Sequence, residues 1–142
     1  MSVMGPDEHR RCLPPALLRA YRSTCYRVEG IEIRIGRRSP GMDELLRSHA
    51  VLQAGFVTAY NPHARPMPVG WNQRMQARLR QAVRRYPVLS GSGTWRRWSE
   101  AHLIVLGDCR LVRHIARRFR QRAIVIIRRR QPARLVILSS PA

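Results

Sequence analysis

Residues 102–127 read HLIVLGDCRLVRHIARRFRQRAIVII. LIVL at 103–106 and AIVII at 123–127 are unbroken apolar runs of strand length. Between them Leu111, Val112, Ile115, Ala116 and Phe119 recur at i, i+1, i+4, i+5 and i+8. That is the stripe of an amphipathic helix, and Gly107-Asp108 supplies its cap. A strand, a helix and a second strand in close succession predict helices laid on a sheet.

The neighbouring segments extend this pattern. RLVIL at 134–138 forms a C-terminal hairpin with 123–127 through RRRQPA. Upstream, GSGTWRRWSEA at 91–101 reads as a loop, and YPVLSGSG at 86–93 as a short strand before it. A helix is expected over about 69–86, after the loop HARPMP. AGFVTAYNP at 54–62 is a buried strand that stops at the turn pair Asn61-Pro62. Ser39-Pro40 opens a helix to about His49, with Asp43 and Glu44 at its positive end. CYRVEGIEIRIG at 25–36 is a hairpin: Ile31, Ile33 and Ile35 alternate with polar residues, and Glu29-Gly30 makes the turn. Pro14-Pro15 opens a short helix to about Ser23, with Leu17, Leu18 and Tyr21 as its apolar side. The expectation is a polar N-terminal arm at 1–13 and one α+β domain over 14–142. That domain has a single mixed sheet of about six strands with about three helices packed on it.

The composition fits one globular domain: 142 residues, 44% of them hydrophobic. Its charge is unusual, with 27 basic residues against 8 acidic ones and a formal charge of +19. Every basic residue is Arg. A GC-rich genome would account for Arg in place of Lys, but not for so few acids. Such an excess attracts polyanions, of which nucleic acid is the commonest. Cys12, Cys25 and Cys109 have no paired spacing, and no leader-like apolar segment opens the chain, so reduced thiols in the cytoplasm are expected. The apolar runs are too short to span a bilayer, and no membrane partner is expected.

The most informative polar residue is Asn72. On the 69–86 helix Trp71, Met75, Leu79, Ala82, Val83 and Tyr86 form an apolar arc, and Asn72 falls inside it, roughly 45° from its centre. A buried amide needs partners, and Thr58, Asn61 or the 61–68 backbone are nearest in the chain. Two roles follow: Asn72 staples the loop to the helix, the favoured one, or Thr58, Asn61 and Asn72 line a ligand pocket at a strand end. Opposite the apolar stripes lie two basic rows, Arg74, Arg78 and Arg85 on one helix and Arg110, Arg113, Arg117 and Arg120 on the other. If both helices pack on one side of the sheet, the rows make one surface suited to phosphates. The Arg128-Arg129-Arg130 tip reads as a mobile cationic point.

TWRRWSE at 94–100 interleaves two Trp with two Arg. This suits stacking on single strands, although core packing is the more ordinary use of a Trp. The five His show no metal-ligand spacing, and no Gly-rich phosphate loop is present. Neither a metal nor a cofactor is called for. A Cys25–His102 pair across strands is conceivable, but nothing in the sequence demands it. Glu100, read as a loop acid beside the Trp pair, is the candidate general base.

FVTAYNP, then Asn72 at a helix start, then WSEAHLIVLG, then RRFRQRAIVI resemble, in order and spacing, the bacterial domain-of-unknown-function family numbered 3293. That family shows a TAWNP-like strand end, an Asn in the next helix, a W..ES-like strand opening and an FGQ-A-like helix exit. The resemblance covers about residues 15–138 and marks Thr58, Asn61, Pro62, Asn72, Glu100 and Gln121 as neighbours in space. This chain departs in having Tyr60 for the usual Trp, His102 where Ser is common, and Arg120 and Arg122 around Gln121.

The leading expectation is a binding module for an anionic partner, such as nucleic acid, held by Arg-rich helix faces. The alternatives are a small enzyme or nucleotide-binding protein using Thr58, Asn61, Asn72, Glu100 and Gln121, and a basic adaptor for an acidic protein. A deep pocket among those five favours the second, and a flat Arg surface favours the first.

Overall fold

The structure, a computed structural model, describes residues 13–138. The arm expected at 1–13 lies outside them except for its last residue. In chain order the elements are α1 (Pro15–Ser23), β1 (Cys25–Val28), β2 (Ile31–Ile33), α2 (Pro40–Ser48) and β3 (Gln53–Val57). After a 3-10 turn (Pro62–Ala64) come α3 (Val69–Ala82), β4 (Val88–Trp95), β5 (Trp98–Leu106), α4 (Cys109–Arg118), β6 (Ala123–Arg128) and β7 (Arg134–Ile137). The seven strands form one sheet in the order β2-β1-β4-β5-β3-β6-β7, antiparallel at every pairing of named strands. The α+β class holds, with an antiparallel sheet in place of a mixed one and seven strands and four helices in place of about six and three. All seven strand segments were legible one by one; their total was set too low.

The sheet curls until its two edges touch. Ile35, just past β2, bridges Ala133, just before β7. The Gly36 N–H donates to the Ala133 carbonyl at 2.8 Å, and the Ala133 N–H to the Arg37 carbonyl at 3.0 Å. The inner face of the curl buries Tyr26, Val28, Ile33, Phe56, Ile104 and Val125, and Met42 and Leu46 of α2 pack among them. The outer face carries α3 and α4, with Leu79, Val83, Val112 and Ile115 over Val57, Leu103, Val105 and Ile124. Both faces being covered, LIVL and AIVII show no polar alternation. Helix α4 lies close on β3 because Gly55 has no side chain: a Cβ there would sit 2.7 Å from Val112 Cγ1. No helix among the described residues is long and apolar enough to cross a membrane.

Several local expectations are met. Ser39 caps α2 by accepting the Met42 N–H, and Asp108 caps α4 by accepting the Arg110 N–H. Glu29 and Gly30, with φ of 49° and 77°, make the β1–β2 turn. That pair of positive φ angles is the twist a two-residue hairpin needs.

Others are corrected. The 91–101 loop does not exist: β4 and β5 pair as far as Trp95 opposite Trp98, and Arg96 and Arg97 alone turn the chain. Arg96 takes a φ of 55° there, a conformation for which the Gly/Asn signals of a turn are normally sought. Helix α3 ends at Ala82, and Tyr86 is 45% exposed instead of closing the apolar arc. Its buried face is Asn72, Gln76, Leu79 and Val83, turned roughly 55° from the arc drawn through Trp71 and Met75. The Arg128–Arg130 tip is not a loose cationic point. The Arg129 N–H and Nε donate to the carbonyls of Leu52 and Val51, and the Arg130 N–H donates to Asp43 Oδ1 at 2.9 Å.

Candidate functional site

Strand β3 leaves the sheet at Val57, and the next four residues are held by side chains instead of by a ladder. Thr58 Oγ1 donates to the Ala101 carbonyl at 2.8 Å and accepts the Tyr60 N–H at 3.1 Å. Gln76 Oε1 accepts the Ala59 N–H at 2.8 Å. Asn61 turns left-handed, with φ 46° and ψ 64°, which Asn tolerates better than most residues. Its N–H donates to Asn72 Oδ1 at 3.0 Å, and Asn72 Nδ2 returns a bond to Asn61 Oδ1 at 2.9 Å. Asn61 Oδ1 also accepts the Met67 N–H, so one Asn pair closes both ends of the 61–67 loop. His63 and Ala64 are left-handed as well, a strain that persists only where surrounding bonds fix it.

From Asn61 the network continues to Glu100. Asn61 Nδ2 donates to Glu100 Oε1 at 3.2 Å, and Trp98 Nε1 donates to the same oxygen at 2.9 Å. Gln121 Nε2 donates to the Tyr60 carbonyl at 3.0 Å. The structure thus brings Asn61, Asn72 and Glu100 into one chain of hydrogen bonds. Thr58 and Gln121 touch the same strand exit. Asn72, 0% exposed, has the stapling role; it lies behind the wall.

The wall encloses a cavity of about 330 Å³ at the end of the curl away from α2. Thr58, Asn61, Glu100 and Gln121 line it, and α1 covers it with Leu17, Ala20 and Tyr21. The remainder is largely aromatic: Tyr26, Phe56, Tyr60, Trp95 and Trp98, with His102. Tyr26 packs edge-on against Phe56 and His102, with centroids 5.6 and 5.7 Å away, and the Phe56 and His102 rings are tilted at 6.2 Å. Burial pushes the Tyr21 hydroxyl up to about 12, with the Glu100 charge adding to the effect. Burial raises Tyr26 likewise. Burial lowers His102, outweighing the attraction of Glu100, and keeps the ring neutral. The cavity therefore offers stacking surfaces, uncharged polar groups and one carboxylate. No Arg lines it.

Glu100 stands in β5, not in a loop, and its Oε1 is already engaged by two donors. Neither Trp is a core residue: Trp98 is 43% exposed and Trp95 half-buried. Cys25 and His102 do not meet. Cys25 pairs with Thr94 and His102 with Gly91, and Cys25 is one residue from the inward-facing Tyr26, hence on the other face. Sequence reasoning missed Gln76, whose spacing of one helical turn from Asn72 was the available signal. It also missed Tyr21 and Tyr26, which carried none.

Helices α3 and α4 share the outer face of the sheet. Arg74, Arg78 and Arg85 are exposed around α3, and Arg110, Arg117 and Arg120 along α4, while Arg113 is half-buried.

Residues 57–124 match the family model described as Protein of unknown function (DUF3293). Over that span the chain is similar to this family. The matched segment runs from the end of β3 to the start of β6 and contains Thr58, Asn61, Asn72, Glu100 and Gln121. No curated protein and no solved structure matches the chain.

Proposed function

We propose that this protein binds a nucleotide-class ligand, a planar ring carrying phosphate, with the ring inside the cavity. One observation carries the reading: charge is sorted between the inside and the surface. Glu100 is the sole acidic residue and no Arg is present among the lining residues. Exposed Arg65 lies between the lining residues Ala64 and Pro66, and exposed Arg96 and Arg97 lie between Trp95 and Trp98. Arg96 stacks over the Trp95 ring at 4.6 Å, which aims a cation at the rim.

A ligand that suits this sorting is anionic outside and presents an uncharged hydrogen-bond donor inside. A net charge of +19 draws phosphate toward the molecule and repels free amines. The aromatic walls stack on a ring of any base, and Glu100, whose Oε1 is held by Asn61 and Trp98, meets its exocyclic donors with Oε2. The cavity is within the range of ligand sites, which fall between about 300 and 1,000 Å³ and favour the mouths of curled sheets.

Titration with AMP, GMP, CMP and UMP, followed by the fluorescence of Trp95 and Trp98, tests the reading. Saturable binding of at least one is expected, lost in Ala20→Trp, which fills the cavity from its covering helix. If the folded protein binds none at millimolar concentration, or Ala20→Trp binds as well as the wild type, the cavity is not a nucleotide site.

A further inference from the structure

We infer that the ligand is the end of a single nucleic-acid strand, whose first ring enters the cavity and whose following phosphates lie on the Arg row of α4; the inference rests on the cavity's being a base pocket. The observation is where that row leads. Arg110, Arg113 and Arg117 lie at i, i+3 and i+7 along α4, and Arg120 extends the row just past its end. The next residue, Gln121, lines the cavity and donates to the Tyr60 carbonyl. The Arg120 carbonyl itself accepts the His63 N–H at 2.8 Å, which ties the helix exit to the left-handed loop of the cavity wall. The row therefore runs down the outside of the sheet and ends next to Gln121 of the cavity wall.

These cations are unspent. The ion pairs among the described residues are Arg27–Glu32, Arg38–Asp43 and Arg47–Glu44, all away from α4. Arg113 is half-buried, so packing on its stem restricts where the guanidinium goes. From Arg110 to Arg117 the axis advances about 10 Å, enough for more than one phosphate. A free mononucleotide uses none of this length. A duplex end offers a base pair, with no single ring free to enter. A single strand uses both the cavity and the row, and Arg grips successive phosphates through paired hydrogen bonds.

The test compares the four mononucleotides with the corresponding 5′-phosphorylated homotrinucleotides over a range of salt. The trinucleotide of a binding base is expected to bind about tenfold tighter, one added bidentate contact's worth. Two further phosphates steepen the salt slope by roughly 1.4, at about 0.7 for each. Arg110→Glu with Arg117→Glu should abolish the gain in affinity and the extra slope. Arg37→Glu with Arg47→Glu makes the same charge change at exposed positions around α2, away from α4, and should preserve both. Mononucleotide binding without any gain for trinucleotides, or a gain equally lost in both double variants, overturns the strand path and leaves the base pocket standing. Absence of all binding overturns the pocket and the path together, as does trinucleotide binding that survives Ala20→Trp.

Discussion

Replacing Asn72 by Ala tests the joint on which the cavity wall depends. The side chain is wholly buried and makes two short bonds, 3.0 Å from the Asn61 N–H and 2.9 Å to Asn61 Oδ1, plus a longer one of 3.3 Å to the Met67 carbonyl. Truncation removes all three. Asn61 Oδ1 keeps the Met67 N–H, so its loss is partial; the Asn61 N–H loses its partner outright. Two lost bonds at about 1 to 1.5 kcal/mol each, with a desolvation penalty for the stranded N–H, give a destabilisation of about 2 to 4 kcal/mol. Asn72→Asp should be no milder. It keeps the acceptor, removes both donated bonds and places a carboxylate against Asn61 Oδ1 and the Met67 carbonyl. Urea unfolding followed by circular dichroism measures the change, with an unaltered m-value marking a loss of stability alone. In a cycle with Asn61→Ala the two costs should fall short of additive by at least about 1 kcal/mol, because they share one pair of bonds. A change within about 0.5 kcal/mol for Asn72→Ala, the range of an ordinary surface substitution, would refute the claim that this amide holds the loop.

Other outcomes follow from single sites. Burial holds the His102 pKa below its usual 6.5, so the unfolded chain binds the proton first as pH falls. Stability should drop below pH 6.5 by up to about 1.4 kcal/mol per unit until the folded pKa is reached, and His102→Gln should flatten that limb of a pH–stability curve. Burial pushes the Cys109 thiol up to about 11, so in a Cys12→Ser background it should resist iodoacetamide until the protein unfolds; rapid labelling of the native protein would contradict its burial. Gly55→Ala brings a Cβ within 2.7 Å of Val112 Cγ1 and should cost about 1 to 3 kcal/mol by denaturant titration.

The two apolar runs around α4 made the α+β class legible, and hydroxyl, carboxylate and Pro caps marked the helices. What escaped did so for identifiable reasons. The β4–β5 turn is Arg96-Arg97, two residues that carry no turn chemistry, so a hairpin read as a loop and Glu100 was taken off its strand. The buried face of α3 was misplaced because two of its three buried residues are amides, Asn72 and Gln76; an apolar count follows Trp71 and Tyr86 instead. The Asn61–Asn72 pairing was within reach of the sequence, since a polar residue on a buried arc demands a partner and the preceding loop is the nearest supply. The cavity was not. Its lining comes from α1, five strands and the 61–66 loop, which meet only because the sheet curls until Ile35 reaches Ala133.

Stapling and ligand binding, separate alternatives on the sequence alone, fall to different members of one network. Asn72 faces away from the cavity and spends its amide on the loop. Asn61 is the hinge between the roles: its N–H and Oδ1 belong to Asn72, while its Nδ2 reaches Glu100. Glu100 Oε1 is fixed between Asn61 and Trp98, so the carboxylate is held before any ligand arrives and little ordering remains to be done on binding. Loosening Asn72 would thus be felt at Glu100 through Asn61. Under the proposed function an Asn72→Ala protein, still folded at low temperature, should bind mononucleotides more weakly without losing a single group that touches them. Unchanged affinity in that folded variant would mean that the amide pair fastens the loop and does nothing more.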